Sequence, residues 1–171
     1  MGIEIEKKYT VDRLPENLEK YSFHTIEQGY LNVRPAIRVR KEDERYYMTY
    51  KGHGTVAHEE YNLDLDEASY LHLLDKADGN VIRKKRYLIP LNTDAYTAEY
   101  LAEDSELAEQ IRTGQVKIEL DLFEAPFDGR VVAEVEFPTE EAARDYHPAD
   151  WFREEVTGNR EYSNAYMSSI K

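Results

Sequence analysis

Apolar and polar residues alternate with a period of two along most of the chain. In 2–11 (GIEIEKKYTV), Ile3, Ile5 and Tyr9 fall on one side, and Glu4, Glu6 and Lys8 on the other. That spacing marks a strand with one apolar face. The same pattern predicts strands at about 25–32, 36–42, 45–51, 58–65, 81–90, 116–123 and 131–137. Gly52 and Gly54, Asp78-Gly79-Asn80 and Asp128-Gly129 supply turn chemistry between them. So many strands with short links predict a mainly β (α+β) fold, an antiparallel sheet that closes or nearly closes.

The alternation breaks in four places. Asp66 can cap a helix running to about Lys76, and Thr139 one over 140–146, with Glu140 and Glu141 in the first turn where the helix dipole favours acids. Residues 94–113 read as a helix, with Asp94 as its cap and Gly114 its stop, and 159–170 as a last short helix. No repeat, low-complexity tract or linker divides the chain, so 1–171 is expected to form one domain.

Composition narrows the chemistry. With no cysteine among 171 residues, disulfides, thiolate catalysis and cysteine-bound zinc are excluded. No apolar run approaches the roughly 18–20 residues of a membrane span, and residues 1–9 lack a signal-peptide core, which makes the cytoplasm the default location. A net charge of -13 argues against nucleic acid or an anionic membrane as partner. It leaves room for a small anionic ligand, provided the basic residues gather at its site or metal ions supply positive charge.

The polar faces have that potential, because several sort charge by sign, with acid pairs on two strands and basic pairs on two others. Glu4 and Glu6 precede Lys8; Arg38 and Arg40 share a face, as do Lys84 and Arg86; Lys117, Glu119 and Asp121 form another set, and Glu134 and Glu136 a last. A single alternating strand with charges on one side is ordinarily just a strand with a wet face. Like charges on neighbouring side chains repel, however, so sign-sorted faces point to a barrel with charges inside and apolar side chains outside, under the helices. Clustered carboxylates suit hard cations such as Mg²⁺ or Mn²⁺. Paired Arg and Lys suit phosphate oxygens. The five histidines show no ligand spacing and read as surface or loop residues, and most of the 14 tyrosines read as packing on the barrel exterior.

The ordered series of these residues resembles the CYTH superfamily, the triphosphate tunnel metalloenzymes. Glu4-Ile5-Glu6-Lys7-Lys8 matches the ExExK signature. Gln28-Gly29-Tyr30-Leu31, Arg38-x-Arg40, Lys51, Glu60-Tyr61, Lys84-x-Arg86, Glu119-x-Asp121, Glu134-x-Glu136 and a tail with Arg160, Tyr162 and Asn164 follow in the family's order, from residue 3 to about 166. The resemblance implies a closed eight-stranded antiparallel tunnel with a few flanking helices and Mg²⁺- or Mn²⁺-dependent hydrolysis of a triphosphate, inorganic tripolyphosphate foremost. It also implies Glu4, Glu6, Glu134 and Glu136 as metal ligands with Glu119 and Asp121 in support. Arg38, Arg40, Lys51, Lys84, Arg86 and Arg160 would bind the substrate, and Lys8 would help activate the attacking water. A homodimer stays open, as do an adenylate cyclase, a thiamine or nucleoside triphosphatase and a non-catalytic polyphosphate-binding module. Departures from the pattern are His58 and Asn62 beside Glu60, Ser163 and Ala165 in place of lysines, and a longer helical insertion at about 92–115.

Overall fold

All eight predicted strands form: β1 (Gly2–Val11), β2 (Phe23–Asn32), β3 (Ala36–Glu42), β4 (Arg45–Lys51), β5 (Ala57–Leu65), β6 (Asp78–Pro90), β7 (Lys117–Phe123) and β8 (Val131–Glu136). They are seen in a computed structural model that describes residues 2–171. The strands run antiparallel in the order β5-β4-β3-β2-β6-β7-β8-β1, and pairing of β1 with β5 closes the barrel. A ninth strand, β9 (Phe152–Glu155), escapes the sequence pattern because its four residues are mostly charged. It pairs with the later part of β1, opposite Tyr9 and Val11, beyond the reach of β5.

The apolar faces do point outward, under helices α1 (Glu67–Leu74), α2 (Ala98–Glu103), α3 (Ser105–Arg112) and α4 (Glu140–Asp145); a fifth helix, α5 (Asn164–Ser169), follows near the C-terminus. Ile118 and Leu120 of β7, opposite Val135 and Ala133 of β8, share a core with Leu107 of α3 and Ala142 and Ala143 of α4. Fully burying each larger aliphatic contributes about 1.5–3 kcal/mol. Asp66 and Thr139 cap α1 and α4 as expected, their side chains accepting from Ser69 N and Ala142 N. The single helix expected over 94–113 is two. Thr97, not Asp94, caps the first; Asp104 leaves the helical conformation, ends α2, and accepts from Leu107 N to start α3. Two good N-cap residues seven positions apart make a break cheaper than continuing through Asp104. No helix is long and apolar enough to cross a membrane, among the described residues.

The C-terminal helix α5 behaves differently from the other four. Met167 packs on Ile82, Phe123 and Val132. Phe123 stands directly opposite Lys84, and Val132 opposite Asp121, so these residues share the inward side of the barrel. Helix α5 therefore fills a sector of the interior, and the remainder is left as a cavity.

Candidate active site in the tunnel

The cavity has a volume of about 550 Å³ and is lined by all eight barrel strands' inward faces or by the loops beside them. Strand register explains why. Direct cross-strand partners share a face, and the partners run Glu4–His58, Glu6–Glu136, Lys8–Glu134 and Glu119–Glu134 on one side of the ring. On the other they run Lys51–Glu60, Arg38–Thr49, Arg40–Tyr47, Arg40–Gln28 and Arg86–Asp121. Around the ring the acids of β7, β8, β1 and β5 form one continuous arc, and the bases of β4, β3 and β6 form the other, with uncharged Gln28 and Tyr30 of β2 between β3 and β6.

Of the residues singled out from the sequence, Glu4, Glu6, Lys8, Arg38, Arg40, Lys51, Lys84, Arg86, Glu119, Glu134, Glu136 and Arg160 all line this cavity. Asp121 does not. It lies fully buried beneath the wall, with one oxygen 2.6 Å from Lys84 Nζ and both gripped by Arg86 at 2.7 and 2.8 Å. Asp121, away from the cavity and already paired with two cations, fixes two basic side chains in place.

The basic arc is built by crowding. Arg86 reaches Glu119 at 3.0 Å and Glu134 at 3.1 Å, and although burial works against its charge, Asp121, Glu119 and Glu134 raise its pKa further. Lys84 is pulled the other way: burial, with Arg86 and Arg40 nearby, outweighs Asp121 and brings it down to about 7. Its Nζ nevertheless sits at hydrogen-bonding distance from Asp121 and, at 3.0 Å, from Asn164 Oδ1. That is the geometry of an ammonium, and the pair is best treated as ionised. Burial and the positive neighbours Arg38 and Arg86 lower Arg40, which donates to Gln28 at 2.7 Å and to Tyr47 at 3.2 Å. Arg38 Nε, buried in the cavity wall, has no hydrogen-bond partner among the described residues. Arg38 itself lines the cavity, so its guanidinium is placed to meet an oxygen of a bound anion.

The acidic arc is equally strained. Lys51 Nζ bridges Glu4 Oε2 at 2.5 Å and Glu6 Oε1 at 3.2 Å, and His58 Nε2 lies 2.7 Å from the same Glu4 oxygen. Burial opposes ionisation of Glu4, but the bond to His58 and the charge of Lys51 hold it well below the usual range. Glu6 is raised by burial and by Glu134. Glu136, although it reaches solvent, is pushed up to about 7 by partial burial and by Glu4, Glu119, Glu60 and Glu6 around it. Glu60 Oε2 is buried without a partner among the described residues. The arc fits a hard divalent cation: Glu4 and Glu6 already grip a cation in the Lys51 ammonium, and the acidic neighbours that raise Glu6 and Glu136 mark a place where added positive charge is favourable. Glu4, Glu6 and His58 offer ligand atoms all within 4.8 Å of one another.

One further expectation from the sequence changes here. His58 is not a surface histidine; it is buried in the tunnel wall opposite Glu4. Its place in the alternation of β5, two residues before Glu60, was the available signal. Tyr30, Tyr47 and Tyr166 line the cavity, exceptions to the exterior packing expected of most tyrosines.

Known proteins share this architecture. An inorganic triphosphatase of Nitrosomonas europaea is 29% identical over 170 residues, spanning 96% of each chain. An inorganic triphosphatase of Acetivibrio thermocellus is 30% identical over 172 residues, 98% of this chain and 94% of that one. The solved structure of the inorganic triphosphatase NE1496 superposes with a TM-score of 0.65 at 27% identity, covering 100% of this chain and 97% of the other. A protein from Pyrococcus furiosus shares the fold at a TM-score of 0.55 and 19% identity over 83% of this chain and 85% of its own. No protein-family model matches the chain. A closed antiparallel barrel with an acidic arc facing a basic one, in this residue order, defines the class of CYTH-type triphosphate tunnel proteins. Within that class the chain belongs to the inorganic triphosphatase family.

Proposed function

We propose that the chain hydrolyses inorganic triphosphate with a divalent cation, Mg²⁺ or Mn²⁺, in this tunnel. The observation that carries the reading is the division of the interior into two arcs of opposite sign. The basic arc alone would attract any polyanion and the acidic arc alone any cation; facing each other across one cavity, they suit a metal-chelated polyphosphate. The names of the two full-length relatives support the same substrate.

Arg38, Arg40 and Arg86 hold phosphate oxygens, with Lys51, Lys84 and Arg160 adding charge. Glu4, Glu6, Glu134 and Glu136 hold the cation, Glu119 assists, and Asp121 positions Lys84 and Arg86. When bound, the cation neutralises phosphate charge and acidifies a water molecule at the site. Arg86 and Lys84, tied down by Asp121, are pre-aligned to stabilise charge building on the phosphates, and so spend no reorganisation at the moment of reaction.

Lys8 is better suited to that electrostatic role than to proton abstraction. Burial alone would lower its pKa, but Glu134 (3.4 Å away) and Glu6 outweigh it and raise it. While those carboxylates are ionised, Lys8 holds its proton and cannot accept another.

The test is phosphate release from tripolyphosphate, ATP and thiamine triphosphate with Mg²⁺ or Mn²⁺, alongside an assay for cyclic AMP. Preferred release from tripolyphosphate is expected. Cyclic AMP formation, or binding without turnover, would sink the hydrolase reading.

A further inference from the structure

His58 is the one histidine of five that the fold buries. It stands opposite Glu4 where β1 and β5 close the barrel, with its side chain 7% exposed. Its Nε2 lies 2.7 Å from Glu4 Oε2 and 3.9 Å from Glu6 Oε1. Around an ion with bonds of about 2.1 Å, adjacent octahedral ligands are about 3.0 Å apart and opposite ones about 4.2 Å. The two measured separations are close to that span, so one ion can be met by both carboxylates and the imidazole with small side-chain adjustments. Lys51 Nζ marks the place of positive charge beside the same oxygens. Its flexible four-carbon stem lets it withdraw toward the phosphate when a divalent ion takes over. Glu60, two residues along the same face of β5, adds a buried oxygen with no partner among the described residues.

We propose that His58 is a third protein ligand of the cation held by Glu4 and Glu6, and that its nitrogen biases this tunnel toward first-row transition cations over Mg²⁺. The inference rests on the metal reading above and extends it to one residue outside the ligand set that the sequence pattern implies. An all-oxygen site has no intrinsic reason to disfavour Mg²⁺. An imidazole nitrogen gains more from Mn²⁺ or Co²⁺, and Mg²⁺ gives up a water oxygen for it reluctantly.

Mn²⁺ binding followed by electron paramagnetic resonance, with spin-echo modulation from directly bound ¹⁴N, tests this without turnover. The wild-type chain should bind Mn²⁺ with a ¹⁴N signature, and labelling with ¹⁵N-histidine should convert it to that of ¹⁵N. His58→Gln should lose the signature while glutamate-bound Mn²⁺ persists about tenfold more weakly, and Mg²⁺ affinity should move less than twofold. His53→Gln, at the exposed rim, should keep the signature. Mn²⁺ bound to the wild type without a histidine nitrogen overturns the role of His58 and leaves the carboxylate site standing. Equal, negligible Mn²⁺ binding by the wild type and Glu4→Gln overturns the metal reading and this inference together.

Discussion

Two charges of the tunnel wall, half-buried Arg38 and fully buried Asp121, should respond to substitution in opposite ways. Among the described residues Arg38 Nε has no hydrogen-bond partner and the side chain is in no short ion pair, so its loss should affect a bound phosphate more than folding. A hydrogen bond to a charged group is worth about 1.5–3 kcal/mol. Arg38→Ala is therefore expected to raise KM for tripolyphosphate about 10- to 100-fold with a nearly unchanged urea midpoint. Asp121 is fully buried and paired with Lys84 and Arg86, and removing one partner of such a network strands the others. Asp121→Asn should cost about 3–5 kcal/mol in urea unfolding. Lys8 separates charge from base chemistry: Lys8→Ala should lower kcat about 10²- to 10³-fold, while Lys8→Arg, which keeps the charge but cannot act as a base, should retain a substantial part. Glu136 should titrate near pH 7 in the cation-free protein, visible by carboxyl carbon NMR. With its folded pKa above the unfolded one, the folded state binds the proton more tightly; that contribution to stability is present below about pH 4.5 and is lost as pH rises through 7. Glu136→Gln should remove this component of the pH profile.

Among the helices, α5 is the one whose position the active site depends on. Its Asn164 accepts hydrogen bonds from Lys84 and Gln28, and its backbone lies directly on β6 at Gly79. Gly79 has φ +76°, and a Cβ there would lie 2.0 Å from the Ser168 carbonyl oxygen. Gly79→Ala should thus combine backbone strain with displacement of α5, for a loss of about 2–3 kcal/mol in thermal unfolding and a fall in kcat. Gly114, at φ +77° with nothing within 4 Å of its added Cβ, isolates the strain alone. Gly114→Ala should cost about 1 kcal/mol with activity intact. The alternation in 81–90 was readable from the chain, but Asp78-Gly79-Asn80, which reads as a turn, instead begins β6; that α5 would pack inside the barrel was not readable. Met167 looks like any helix-face apolar residue, and only strand register shows that Ile82, Phe123 and Val132 face inward to receive it. Strand β9 was hidden for a related reason, since Phe152 stacks on Tyr9 at 4.6 Å across a long sequence separation that no local pattern reports.

The chain as a whole is strongly acidic, yet eight basic side chains and seven acidic ones line the cavity. More than a third of the 22 Lys and Arg residues are thereby concentrated where the anion would sit. Until ligand arrives, each arc repels itself, so cation and triphosphate together should stabilise the fold more than either does alone. At a ligand concentration of 100 Kd the gain is about 2.7 kcal/mol. Thermal unfolding of the slow Lys8→Ala variant with tripolyphosphate, in chelator and then with Mg²⁺, measures it; equal shifts in the two would contradict a joint site. Alternation with period two determined the strands, and the sorting of charge by sign determined that one face of the barrel would be chemical, because both are local consequences of where side chains point on a pleated backbone. That Asp121 would sit beneath the wall while Glu136 reached its mouth, and that His58 would meet Glu4, depended on the register in which distant strands pair. A shift of one residue would have turned every one of these side chains to the other side, and that register is set by the closure of β1 on β5 and by the packing of helices over the outer wall.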